Sequence, residues 1–373
     1  MISRLVISNI RKNTKLRKAT ILLGARQVGK TTILHELLKK EKDLLVLNGD
    51  EPDIRELLTN VNSSQLKSIF GTKKTVLIDE AQRIPNIGLS LKLITDQIPD
   101  VQLFVSGSSS LDLADIINEP LTGRKLEYQI FPLSFKEMSD HHGLLQEKRL
   151  LQTRLVYGYY PEIVNTPGKE ALLLKNLTSS YLYKDILSFG TIKKPVILDK
   201  LLRALALQVG SEASYNELSR TIGADKETIE RYIDLLEKSF IIFRLHAINR
   251  NVRNEIKKGK KIFFYDNGLR NAIIGDFHPF DLRTDKGALW ENFIISERIK
   301  LLNLTGFYGK YYFWRTTQQQ EIDFIEEIDG KFSAYEFKIN PKKKHKISTT
   351  FTNAYEINKT ATISPNNLEE FIC

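Results

Sequence analysis

The chain has 373 residues, 42% of them hydrophobic and 27% charged, with a formal net charge of +10. This composition excludes a disordered chain, and the length suits two or three domains with cores of their own. The only cysteine, Cys373, is the last residue, so no intrachain disulfide can form, and no apolar run is long enough to span a bilayer.

The opening stretch, MISRLVISNIRKNTKLRKATILLGARQ, lacks the order of a secretory signal, and a cytoplasmic protein without membrane contact is expected. The apolar ATILL reads as a buried strand running into a glycine-rich loop. That loop, Gly24, Ala25, Arg26, Gln27, Val28, Gly29, Lys30, Thr31 and Thr32, has the spacing G-x4-G-K-T, and an amphipathic helix follows it. The glycines let backbone N–H groups turn toward phosphates at a helix N-terminus. Lys30 is expected to reach the β- and γ-phosphates of ATP, and the Thr31 hydroxyl to ligate Mg²⁺.

A second strand, Thr75 to Ile78, ends in Asp79 and Glu80 within VLIDEAQRIPN. Acidic groups at the end of a parallel strand face the phosphate-bound metal. Asp79 is read as holding Mg²⁺ through water, and Glu80 as activating the attacking water. A third strand, VQLFVSGSSSLDL, brings Ser106 or Ser108 to the same edge to meet the γ-phosphate or the water. Helix capping through Ser110 is the alternative. Arg124, just after a glycine, is a candidate arginine finger in cis or on a neighbouring subunit; otherwise it is an ordinary surface arginine.

In order, GARQVGKTT, VLIDEAQRIPN, FVSGSSSLDL, LTGR and YQIFPLSFKEM, then GYYPEIV and YLYKDIL, resemble a family of bacterial and archaeal AAA-type ATPases. In that family an ATPase domain is joined to a C-terminal domain of unknown function. The resemblance implies ATP and Mg²⁺ as cofactors, a relation to the origin-recognition and STAND-like branches, and a helical lid after the core. The stretch EALLLKNLTSSYLYKDILSFG, with apolar residues at helical spacing, is read as part of that lid. There Tyr181, Tyr183 and Asp185 serve core packing and the helix surface, or an interface.

Further on, Ser214 to Thr221 reads as a short helix, Gly223-Ala224-Asp225 as a turn, and Lys226 to Lys238 as a second helix. Two strand-like runs, FIIFRL and KKIFFYD, complete the pattern of a winged helix-turn-helix. The second helix offers Lys226, Glu227, Thr228, Glu230 and Arg231, a mixed face poorly suited to phosphates. The basic connection, with Arg250, Arg253, Lys257, Lys258, Lys260 and Lys261, is the better DNA contact, and protein interaction is the alternative use.

The C-terminal part contains QEIDFIEEIDGKFSAYEFK. Strand alternation puts Glu336 and Lys338 on one face and Phe337 on the other, while Asp323 lies on the preceding strand across an Asp329-Gly330 turn. Upstream, in GALWENFIISERIK, Glu291 falls on a helical stripe otherwise made of apolar residues such as Ala288 and Ile295. A solvated hairpin face is the simple account. The order helix glutamate, strand aspartate, Glu-x-Lys resembles the PD-(D/E)xK core of restriction-endonuclease-like domains. That resemblance implies Mg²⁺ on Asp323 and Glu336 with help from Glu291, and Lys338 orienting a water or stabilising the phosphorane. The lysines Lys342, Lys343, Lys344 and Lys346 would then lie on the DNA backbone, and Tyr311, Tyr312 and Trp314 are read as core.

The expected architecture is α/β: an AAA-type P-loop core with a parallel sheet over residues 1–135, a helical lid over 136–205, a winged helix over 206–265 and a restriction-endonuclease-like α/β domain over 266–373. The function this organisation suggests is that of an ATP-hydrolysing, DNA-associated protein with a C-terminal Mg²⁺-dependent nuclease-like domain, its domain arrangement controlled by the ATP state, with ATP and ADP as ligands and a homo-oligomer as an expected assembly. The other reading is a nucleotide-driven switch or signalling scaffold whose C-terminal domain binds partners without cutting.

Overall fold

The computed structural model describes residues 2–16, 18–107, 120–182, 194–248, 259–342 and 346–373. The chain divides into two units, one built mainly of Ser3–Pro132 and the other of Leu133–Glu237 with Ile241–Cys373.

In the first unit, β1 (Ala19–Leu23), β2 (Leu44–Asn48), β3 (Thr75–Asp79), β4 (Gln102–Gly107) and β5 (Lys125–Gln129) form one sheet in the order β2-β3-β4-β1-β5. Every pairing is parallel. The runs ATILL and TVLI are apolar without alternation because these strands are covered on both faces. Helices α1 (Val6–Asn13), α2 (Lys30–Leu38) and α3 (Ile87–Gln97) each bury an apolar stripe. Because β1 lies between β4 and β5, its carboxyl end opens where neighbouring connections diverge, the usual place for a ligand in a parallel sheet.

In the second unit, helices run from Phe135 to Leu207 on either side of residues 183–193, which fall outside the description. Helix α4 (Tyr215–Ile222) begins at a Ser214 cap that accepts from the Glu217 N–H and ends at Gly223, whose φ of 76° a side chain would disfavour. Helix α5 (Lys226–Lys238) follows, with Asp225 accepting from the Thr228 N–H and hydroxyl at 2.7 and 2.8 Å. Then β6 (Ile242–His246) pairs antiparallel with β7 (Lys260–Phe264). These are the helix, turn, helix and hairpin expected from the sequence.

The C-terminal part runs α6 (Lys286–Thr305), β8 (Lys310–Arg315), β9 (Glu321–Ile328), β10 (Lys331–Phe337), α7 (Thr349–Ala354) and β11 (Ile357–Ile363). Strands β8, β9 and β10 are antiparallel, and β11 joins β10 in parallel. Asp329 and Gly330 both take positive φ, 51° and 79°, the backbone a two-residue hairpin needs to follow the strand twist. Trp314, Ile322, Ile325, Phe332, Ala334 and Phe351 form a core on one face of the sheet. Phe324 and Phe337 pack with Phe371. Trp314 is core as expected, whereas Tyr311, also read as core, stacks on Phe324 but stays exposed at the sheet surface.

One polar contact sets the position of β7. The buried Asn292 on α6 accepts from the Phe264 N–H at 2.7 Å and donates to the Phe264 carbonyl at 3.0 Å, completing the backbone pairing at the strand's end. The other end of the hairpin meets the four-stranded sheet, where the Ile248 N–H donates to the Phe313 carbonyl at 2.8 Å. Strand β7 is therefore held beside α6, and the chain leaving β6 beside β8.

Candidate functional site

The phosphate loop follows β1. Gly24 carries no side chain because a Cβ there would stand 2.2 Å from the Ile130 carbonyl oxygen, just after β5. Gln27 and Gly29 take positive φ, 59° and 93°, so the loop curls before α2 starts at Lys30. Ala25 and Val28 bury their side chains and contribute backbone, while Arg26, Gln27, Thr31 and Thr32 lie at or near the surface.

Around this loop the expected residues come together. Lys30 folds back, its ammonium donating to the carbonyls of Gly24 and Ala25 at 2.8 Å each. The Thr31 hydroxyl donates to Asp79 at 3.2 Å, which puts two hard oxygen donors side by side from α2 and β3. Ser106 donates to the other Asp79 oxygen. Glu80 stands next to them in a left-handed backbone conformation, φ 50°, with its carboxylate accepting from Gln82 at 2.6 Å. A left-handed residue other than glycine costs of the order of 1 kcal/mol and persists where its surroundings fix it. Here the Glu80 N–H donates to Asp79 at 3.1 Å and its carbonyl accepts from the Arg83 N–H at 3.0 Å, while Gly49, where a Cβ would come within 2.5 Å of that carbonyl oxygen, leaves room for it. These donors match what ATP and Mg²⁺ require: a lysine over the loop and a paired hydroxyl and carboxylate at its mouth.

No motif in the sequence singles out Arg4. It precedes α1, yet its guanidinium donates to the Val28 carbonyl inside the loop and to the Phe131 carbonyl after β5, both at 2.7 Å. Arg124, by contrast, does not join the site of its own chain. The parallel register pairs Ala19 with Lys125, so Arg124 lies at the opening end of β1, about five residues or roughly 16 Å from the loop. There it pairs with Asp96 at 2.5 Å. The reading of Arg124 as a finger in cis is corrected on that ground. Ser108, Ser110, Tyr183, Asp185, Arg250, Arg253, Lys257, Lys258, Lys343 and Lys344 lie outside the described residues, as does the side chain of Tyr181.

In the second unit, Glu291, Asp323, Glu336 and Lys338 all line one cleft of about 820 Å³, together with Lys261, Glu321, Arg315 and Lys346. The pairing of Phe324 with Tyr335 brings Asp323 beside Glu336, and Asp323 accepts from the Phe337 N–H at 2.8 Å. Lys338 donates to Glu336 at 2.8 Å and stands 3.9 Å from Asp323. Lys261 is not on an outward DNA-binding face as expected: it is 3% exposed, with its ammonium 3.0 Å from Glu291 and 2.5 Å from Glu321. That corrects its place among the wing lysines. The neighbouring Lys260 lies over the Tyr215 ring at 5.1 Å.

Burial and the neighbouring charges together set the titration of the cleft. Burial, helped by the like charges of Asp323 and Glu321, pushes Glu291 up to about 7 although Lys261 opposes it. Burial likewise raises Asp323 against the pull of the Phe337 N–H, Lys261 and Lys338. For both lysines burial works the other way, but the carboxylates win and hold them protonated. The oxygen donors are chemically suited to Mg²⁺. Their arrangement is not: among the described residues no three Asp, Glu, His or Cys side chains converge as metal ligands. The acidic groups are divided between two ammonium groups instead.

Residues 16–139 match the model of the AAA domain, 148–279 that of a domain of unknown function (DUF8612), and 286–370 that of another (DUF4143). An uncharacterized protein of Mycobacterium tuberculosis is 26% identical over 348 residues, covering 90% of this chain and 75% of the relative. One of Methanocaldococcus jannaschii is 23% identical over 331 residues, 83% of this chain and 72% of that protein. A Walker-type ATPase of Pyrococcus abyssi shares the fold with a TM-score of 0.50 at 15% identity, covering 73% of this chain and 96% of the other. Among the described residues no helix is long and apolar enough to cross a membrane. Residues 16–139, which match the AAA domain, carry the parallel sheet and the phosphate loop of an ATPase-like P-loop domain.

Proposed function

We propose that the protein hydrolyses ATP in its N-terminal unit and acts on DNA through its second unit, with a nuclease-type centre at the C-terminal cleft. The observation that carries the first part is the joint placement of Lys30, Thr31, Asp79 and Glu80 around one loop. When ATP binds, Lys30 exchanges the Gly24 and Ala25 carbonyls for the β- and γ-phosphate oxygens. Thr31 and Asp79 are the groups that would hold Mg²⁺, which neutralises charge on the phosphates. Glu80, fixed by its backbone and by Gln82, accepts the proton of the attacking water, while Ser106 keeps the Asp79 carboxylate oriented.

For the second part, the support is positional: Glu291 on α6, Asp323 on β9 and Glu336 with Lys338 at the end of β10 occupy the elements that a PD-(D/E)xK centre uses. The exposed Lys342 and Lys346, the net charge of +10 and the helix-turn-helix with its hairpin, read as a winged helix, supply the case for DNA. No hydrolytic step is derived through a metal at this cleft, because its carboxylates are already paired with lysines. That pairing favours the second reading, a nucleotide-driven switch whose C-terminal domain binds without cutting. Arg124, partly exposed at the far edge of the sheet, is available to a second copy of the chain.

ATP turnover, measured with and without single- and double-stranded DNA at two salt concentrations, separates these readings. The proposal expects turnover that Lys30→Ala abolishes and that DNA stimulates more strongly at low salt. The switch expects slow turnover indifferent to DNA. Absence of any turnover in the wild type would overturn both.

A further inference from the structure

In a parallel sheet covered by helices, the starts of the strands and the ends of the helices that precede them share one pole. In the first unit this is the pole opposite the phosphate loop, and hydrogen bonds stitch its segments together. The Lys74 N–H donates to the Asp43 carbonyl at 3.2 Å and the Gln102 N–H to the Lys74 carbonyl at 2.8 Å. The Gln102 side-chain amide donates to the Lys18 carbonyl at 3.0 Å. The ends of α1 and α2 border a cleft of about 520 Å³ here, with Thr75 of β3 and Gln102 of β4 on its wall. Three basic runs that lie far apart in the sequence, 11–18, 39–42 and 73–74, thereby meet.

Arg11, Lys12, Lys39, Lys40, Lys42 and Lys74 are all exposed, and among the described residues none of them forms an ion pair. Elsewhere on this unit surface cations do pair: Arg83 with Asp50, Arg124 with Asp96 and Lys125 with Glu127. The helix dipole accounts for Arg11, Lys12 and Lys39 at helix ends, but not for Lys42 and Lys74 in connections. Glu36, Glu41, Asp43 and Asp100 stand at the same pole and leave its balance positive. We infer that this pole is a contact for the phosphate backbone of duplex DNA. The inference rests on the reading of the protein as DNA-associated, and it adds a contact on the ATPase unit that does not pass through the C-terminal cleft. Cations without carboxylate partners raise the local potential, and each one that neutralises a phosphate releases a counter-ion from the DNA. The phosphates cross the exposed rim, since Glu36 and Glu41 line the cleft itself. An anionic bilayer is the other surface of matching charge, but apolar side chains inserted beside the cations are what hold it. Leu38 and Phe104 of the cleft are buried, which leaves Leu16, exposed beyond α1, a poor anchor by itself.

The test is the anisotropy of labelled duplex DNA of two unrelated sequences, titrated with the full chain at a series of salt concentrations. Lys39→Ala/Lys40→Ala/Lys42→Ala is compared with the wild type, with Lys39→Arg/Lys40→Arg/Lys42→Arg and with Lys342→Ala/Lys346→Ala, and circular dichroism reports the fold. Each phosphate contact contributes about 0.9 to the slope of log K against log salt. The alanine variant is therefore expected to lose about 2–3 of that slope and roughly tenfold or more in affinity at low salt. The loss should be equal for both sequences, and ATP turnover without DNA should stay at the wild-type rate. The arginine variant should keep the wild-type slope. A folded alanine variant with the slope and affinity of the wild type overturns the inference and leaves the DNA reading standing, above all where Lys342→Ala/Lys346→Ala lowers both. Binding lost only to vesicles of phosphatidylserine and phosphatidylcholine, with DNA binding intact, overturns it in favour of a lipid surface. A wild type that binds no duplex at any salt overturns the inference and the DNA reading together.

Discussion

Gly24→Ala tests the phosphate loop through a contact that depends on nothing but sterics. The added Cβ would lie 2.2 Å from the Ile130 carbonyl oxygen and 3.1 Å from its carbonyl carbon. Neither side can step aside cheaply, because the obstacle is backbone and the Ile130 N–H is bonded to the Leu23 carbonyl at 2.7 Å. Restoring an ordinary carbon–oxygen contact takes a separation of roughly 1 Å between the loop and the chain after β5. Overpacking of this kind costs about 1–3 kcal/mol, and a value near 2–3 is expected where both partners are hydrogen-bonded main chain. Catalysis should suffer more than stability, since about 1 Å of displacement at a reacting centre is worth roughly 100-fold in rate. Thermal unfolding and steady-state ATP turnover on the same preparation report both effects. A Gly24→Ala protein with wild-type stability and turnover would refute the close-approach argument.

Three further outcomes follow from named contacts. Arg4→Ala removes two charge-assisted hydrogen bonds to the loop and to Phe131, and is expected to raise KM for ATP about tenfold while changing kcat little. Arg4→Lys should recover only part of this, because an ammonium lacks the planar fork that reaches both carbonyls. Arg124→Ala should leave turnover unchanged in dilute protein; a loss that appears only as protein concentration rises would mark Arg124 as a finger supplied between copies. Asp285 supplies the pH prediction. Burial alone would raise its carboxyl, but hydrogen bonds and charge from Arg283 and Arg270, both almost fully buried, hold it below the usual range. Its stabilising contribution is therefore complete above about pH 4 and lost as the pH falls through the lowered folded value. Asp285→Ala should cost about 3 kcal/mol in urea unfolding at pH 7, with the difference from wild type shrinking below pH 4.

The two sites were legible in the sequence to different depths. The phosphate loop is local: glycine conformations, one lysine and one threonine lie within nine residues, and the acidic pair closes the next strand of the pattern. The Glu-x-Lys strand and the Asp329-Gly330 turn were equally readable, because alternation and a two-residue hairpin fix which side chains share a face. Lys261 was not. A lysine in a basic run looks the same whether it faces solvent or a carboxylate 30 residues away, and only the pairing of Asn292 with Phe264 decides between them. Arg4 escaped for the same reason, since its acceptors lie 24 and 127 residues downstream. Arg124 was misplaced in cis because a glycine-arginine step does not reveal which end of a parallel strand it occupies.

The most direct test of the account is ATP turnover by the full chain with Mg²⁺, comparing the wild type with Lys30→Ala and Glu80→Gln. The account predicts turnover by the wild type and its loss in both variants, each still folded. Turnover that survives both substitutions, or a folded wild type that turns over no ATP, would contradict it.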